Sequence, residues 1–159
     1  MKRKENIFTT IPEKASARVA INGVMLASVF VMLAVIFLEL DKFNPLAVAQ
    51  MILSIPLLYV SSLAYSKLGY WKETKRWDIF GYFTNTIGNL FLINGIGLVA
   101  SILSFTVSFI YFGLMILLLF VYSYINVSHT KRIAPKLFKF LFSLAILFFG
   151  GILPLLLQM

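Results

Sequence analysis

Three asparagines and three glycines share one otherwise apolar stretch, and they are the best candidates for chemistry in this sequence. Asn85, Asn89 and Asn94 stand among Gly81, Gly88 and Gly95, which recur every seven residues. Polar side chains inside a bilayer are costly unless bonded, so these amides should face other helices or a wet cavity. Glycines seven apart fall on one stripe of a helix that pairs in the left-handed sense. Small residues on such a stripe let two backbones approach closely. Two readings follow. The amides glue a tightly packed bundle, or they line a path for a small solute or seat a lipid headgroup. Asn22, Gln50, Ser61 and Ser108 on neighbouring segments could complete such a lining. Serine hydroxyls can instead bond a carbonyl of their own helix, so they weigh little.

Catalytic groups are scarce. The acids are Glu5, Glu13, Glu39, Asp41, Glu73 and Asp78, and none falls in the middle of an apolar run. Intramembrane carboxylates mark proton relays, and a proton-driven pump is disfavoured without them. Glu73 and Asp78 read as loop acids that partner Lys72, Lys75 and Arg76. Glu39 and Asp41 read as a solvated helix end with Lys42 beside them. His129 stands alone, whereas a zinc site needs three or four ligands and a catalytic histidine needs a nucleophile and an orienting group. There is no cysteine, which excludes thiolate metal sites and cysteine nucleophiles. Phosphate-binding loops, dinucleotide fingerprints and serine-hydrolase elbows are missing from the sequence. The expectation is a protein that is no enzyme and needs no cofactor and no metal.

The elements that must hold these residues follow from composition. The chain has 159 residues, 60% hydrophobic and 13% charged. Ordinary soluble domains are about 25% charged, and a small water-soluble core cannot hide this much apolar surface. Charge-free runs cover residues 19–38, 43–66, 79–128 and 140–159. A spanning helix needs about 20 mostly apolar residues. The runs lack the period-two alternation of a membrane barrel. The fold class expected is therefore an all-α, polytopic membrane bundle of five helices, spanning about 18–40, 45–66, 79–100, 106–127 and 136–157. Residues 1–17 form a basic tail whose Ile7, Phe8 and Ile11 could rest on the bilayer surface. The first apolar run is too long for a secretory signal and reads as a retained helix. Asn44 and Pro45 suit the N-cap and first position of the second helix, and Pro56 should kink it. The long third run must turn near 101–105, and Pro135 should open the fifth helix.

Charge placement sets the threading. Lys2, Arg3, Lys4, Lys14, Arg18, Lys67, Lys72, Lys75, Arg76, Lys131, Arg132, Lys136 and Lys139 are thirteen of the fourteen lysines and arginines, and five spans put them all at one end. Only Lys42 lies at the other. The positive-inside rule makes the crowded end cytoplasmic, so the N-terminus is inside and the C-terminus outside, in the cell membrane. The Asn126-Val127-Ser128 glycosylation pattern should then stay unmodified. The net charge of +8 reads as topology and headgroup contact, with no nucleic-acid partner. Lys67, Trp71, Lys72, Lys75, Arg76 and Trp77 are the expected contacts to anionic lipid headgroups, with Tyr70 and Tyr82 in the same interfacial belt. The function expected is an accessory subunit or scaffold of a membrane complex, with a protein partner or a second copy docked through helix 3. The alternative is a small channel or facilitator lined by the helix 3 amides.

Overall fold

The computed structural model describes residues 12–68, 75–128 and 133–157. All described elements are helical, and five are long and apolar enough to cross a membrane. They are α1 (Pro12–Ile36), closed by a 3-10 turn (Phe37–Lys42), then α2 (Pro45–Lys67), α3 (Lys75–Ala100) and α4 (Phe105–Ser128). The fifth span combines α5 (Ile133–Leu147), a π-helical turn (Phe148–Ile152) and the short α6 (Leu153–Leu156).

Local chemistry explains several ends. Asn44 caps α2 by accepting the Leu46 amide at 2.7 Å, and Pro45 follows in the first turn. Ser104 opens α4 by accepting the Val107 amide at 3.1 Å. Pro56 lies inside α2, which remains one continuous helix. The Glu39 and Lys42 side chains meet at 2.8 Å, more than half exposed, as expected of a solvated helix end.

Three starts differ from the sequence reading. α1 begins at Pro12, so residues 12–17 belong to the helix rather than to a tail. Proline fits a first helical position, and Glu13 complements the amide end. α5 begins at Ile133, and Pro135 falls inside its first turn rather than opening it. α3 begins at Lys75 and takes in Arg76, Trp77 and Asp78. Helical hydrogen bonding does not stop where the hydrocarbon does, and long basic side chains reach outward from a helix end. Asp78 is therefore no loop acid: it is buried in the first turn of α3.

The helices run up and down in order. The start of α1 meets the end of α2, where Arg18 reaches Tyr65 and Asn22 reaches Ser61. The end of α2 meets the start of α3. The turn at 101–104 folds α4 back on α3, so that Tyr111 bonds the Ile93 carbonyl. Phe120 packs on Phe140 and brings α5 back beside α4. All described basic residues except Lys42 thus gather at one end.

The most extensive interface joins α2 to α3. One apolar cluster links Val29, Leu33 and Ile36 of α1 to Met51 of α2 and Leu92 of α3. Another joins Ala47, Leu98, Phe112, Leu147 and Leu155 from four spans. The outer faces of α1 and α4 stay apolar and open, with Val24, Val31, Phe109, Ile110 and Leu117 exposed. Such a surface suits lipid chains.

Candidate functional site

The glycine stripe of α3 lies against α2. A Cβ on Gly81 would meet the Tyr65 ring at 3.1 Å and one on Gly88 would meet Leu57 at 3.0 Å. At Gly95 it would stand 2.7 Å from Met51 and 3.1 Å from the Ala47 carbonyl oxygen. Three turns of α3 therefore sit so close to α2 that an added Cβ would force its α2 neighbours to shift.

The three asparagines do not converge. Asn85 faces α2 and accepts from Ser61 at 3.4 Å. Asn89 folds back and donates to the Asn85 carbonyl at 2.9 Å. Asn94 is fully buried and donates to the Ile146 carbonyl of α5 at 3.0 Å. Asn85 belongs to a polar group with Ser61, Ser62 and Asn22, whereas Asn94 joins a cluster whose other members come from α2 and the fifth span.

Gln50 of α2 is the second member. Its Nε2 donates to the Gly150 carbonyl at 2.7 Å. The reason lies four residues further on. In an α-helix that carbonyl would accept the amide of residue 154, but Pro154 has no N–H. Pro154 leaves the backbone ladder short of one donor close to Gly150, inside the bundle where an unpaired polar group is costly, and Gln50 adds a donor there.

The two glycines make room for this exchange. A Cβ on Gly150 would stand 2.4 Å from Asn94 Nδ2 and 3.1 Å from Gln50 Oε1. At Gly151 it would stand 2.4 Å from the Phe112 ring and 2.7 Å from Asn94 Oδ1. The π-helical turn carries the same residues, and such turns leave the regular backbone ladder locally irregular. Gln50 Oε1, Asn94 Oδ1 and Asn89 Oδ1 are buried without a hydrogen-bond partner. The glycine Cα–H groups facing Asn94 and Gln50 give them weak contacts at most.

Phe112 is clamped beside this cluster. A Cβ on Gly97 would come within 2.4 Å of its ring, as would one on Gly151. Ser108, one turn away, donates to the Gly97 carbonyl. α4 is therefore pinned to α3 by a hydroxyl and a ring that both depend on one glycine.

A second polar cluster occupies the basic end. Arg18 lies over the Tyr65 ring, 4.9 Å from its centroid, and donates to its hydroxyl at 2.5 Å. Lys139 stands 4.4 Å from the Tyr82 ring centroid. Asp78 and Tyr82 are within electrostatic reach of Tyr65. The residues expected to touch headgroups are placed around this cluster: Lys67 ends α2 exposed, and Lys75, Arg76 and Trp77 are exposed in the first turn of α3. Trp71, Lys72, Tyr70, Glu73, His129 and the stretch 1–11 lie outside the described residues. No group of three or more metal-ligating side chains occurs among the described residues.

Gln50 was named from sequence as a possible lining residue, but its partner at Gly150 was not. Pro154 marks a missing backbone donor in the fifth span but not the side chain that answers it. Which helix provides it depends on packing alone. The chain matches no protein-family model, no curated protein and no solved structure, so its reading rests on its own residues.

Proposed function

We propose that this chain is a non-catalytic integral membrane protein serving as an accessory subunit or scaffold of a larger membrane complex. One observation carries the reading: four of the intramembrane amides donate to backbone carbonyls, and Asn85 accepts from the Ser61 hydroxyl. Gln50 serves Gly150, Asn94 serves Ile146, Asn89 serves Asn85, and Asn22 donates toward Leu58, Ser61 and Ser62. Amides used this way hold helices in register and are not free to shepherd a solute. The open apolar faces of α1 and α4 offer area for lipid or for the spans of a partner. The stripe on α3 is occupied by α2, so a partner would dock on α1 or α4 rather than there. The crowded basic end faces the cytoplasm in this reading, on the strength of the positive-inside rule.

Purification from native membranes in a mild detergent, followed by native mass spectrometry, tests it. A stoichiometric partner subunit is the expected result. Recovery of the chain alone, together with a solute flux in reconstituted vesicles that Asn85→Leu abolishes, would overturn it in favour of a facilitator.

A further inference from the structure

Gln50 of α2 and Asn94 of α3 turn their carboxamides toward one place beside Gly150. A Cβ built on Gly150 would lie 3.1 Å from Gln50 Oε1 and nearer still to Asn94 Nδ2. Both side chains belong to the interior, Gln50 at 4% exposure and Asn94 at 0%. Each donates one N–H to the fifth span, Gln50 to the Gly150 carbonyl and Asn94 to the Ile146 carbonyl. Those bonds fix both amides, because turning either one over would set carbonyl oxygen against carbonyl oxygen. An acceptor and a donor are left over. Gln50 Oε1 is buried with no hydrogen-bond partner, so it does not bond Asn94 directly. Asn94 Nδ2 has a second N–H, since a primary amide carries two.

A buried amide oxygen without a donor is costly. Polar groups that face one place without bonding each other are joined well by a bridging water. The chemistry of the place selects that ligand. It presents an acceptor on one side and a donor on the other, and water answers both. A bare cation needs several converging oxygens, and the Asn94 amide nitrogen stands beside the same point with a hydrogen to give. An oxygen in a hydrogen bond approaches nitrogen or oxygen to about 2.8 Å, closer than a methyl carbon can, so water suits a crevice that is too tight for a side chain. The depth is favourable too. Gln50 lies five residues into α2, and Asn94 lies six residues before the end of α3. Both are therefore roughly 8–9 Å inside the end opposite the basic residues. The π-helical turn Phe148–Ile152 and Pro154 interrupt the backbone ladder at this level. Ordered waters complete the hydrogen bonding of interrupted spanning helices.

We propose that one ordered water is a fixed component of the bundle, accepting the second N–H of Asn94 and donating to Gln50 Oε1 beside Gly150. That molecule ties α2 to α3 at the point where both bond the fifth span. The site stands whether or not a partner subunit is recovered with the chain.

Solid-state NMR of the full chain in phosphatidylcholine bilayers tests it, through transfer of magnetisation from water protons. Expected is strong transfer to Gln50 Cδ and Asn94 Nδ2, comparable with that to Asn44 at the start of α2, and none to the buried Leu98 methyls. Transfer to both carboxamides as weak as that to Leu98 would mean a dry contact and overturn the proposal. Gly150→Ala sets a methyl in the crevice and abolishes transfer to Gln50 Cδ. Gly113→Ala, whose added carbon has nothing within 4 Å, leaves it unchanged. Transfer to Gln50 that survives Gly150→Ala while Leu98 stays dry would put the water elsewhere and overturn the site. The wild-type reading depends on neither variant folding. Carboxamide resonances that move when sodium replaces potassium would mean a bound cation and overturn the water.

Discussion

The Gln50 side chain of α2 reaches across the bundle to the Gly150 carbonyl, 2.7 Å away and 100 residues on in sequence. Pro154, four residues beyond that carbonyl, takes one donor out of the backbone ladder of the fifth span. This pair of facts can be separated by mutation. Gln50→Leu keeps the volume and removes the donor, and it should lower stability by about 1–2 kcal/mol in a detergent unfolding titration. Pro154→Ala restores a backbone N–H, and in that background Gln50→Leu should cost clearly less. Equal costs in both backgrounds would show that Gln50 does not compensate for the proline.

Asn94 is expected to matter more than Asn85 or Asn89. It is fully buried and bonds another span, whereas Asn89 bonds its own helix. Asn94→Ala should lower stability by about 1–3 kcal/mol through the lost interhelical hydrogen bond to the Ile146 carbonyl. Asn89→Leu should be neutral or stabilising, because it removes a buried oxygen that has no partner. Thermal unfolding of the two variants in one detergent checks the order.

Glycines divide into those that packing requires and those it does not. Gly151→Ala would drive a methyl into the Phe112 ring and Asn94, and overpacking of this kind costs about 1–3 kcal/mol. Gly23 and Gly113 have nothing within 4 Å of the added carbon. Alanine at either should stabilise by up to about 1 kcal/mol, the ordinary helix preference over glycine. Phe112→Leu should partly relieve Gly97→Ala, since one ring edge is the obstacle there. Additive losses in that pair would contradict the clamp.

Orientation can be read with single cysteines on the native cysteine-free background. A membrane-impermeant thiol reagent applied to intact cells should label Lys42→Cys and leave Lys67→Cys and Lys136→Cys unlabelled until the membrane is opened. The reverse pattern would invert the topology and with it the cytoplasmic placement of the basic end.

The spans were legible because lipid imposes a coarse rule: long apolar runs must be helices, and basic residues must stay at their ends. Capping was legible too, since Asn44 and Pro45 act on their nearest neighbours. Asp78 was misplaced because a carboxylate two residues from Arg76 looks like a loop charge, and only packing reveals that its side chain is buried in an otherwise exposed turn. The Gln50–Gly150 pair was out of reach for another reason. Glutamine carries no mark of which carbonyl it will meet, and α2 shares no local pattern with the fifth span. The amides of α3 looked alike in sequence, yet their register on the helix sends Asn85 to α2 and Asn94 to α5.

The same long-range bonds impose an order on biosynthesis. Gln50 enters the membrane 100 residues ahead of the carbonyl it serves, and Asn94 enters 52 residues ahead of Ile146. Until the fifth span follows them, neither side chain can have the carbonyl it bonds in the folded bundle. The nascent chain must wait for its last span with two amides unsheltered, so chains stalled before residue 146 should crosslink to insertion or holding factors from those positions and lose the crosslinks once the fifth span arrives.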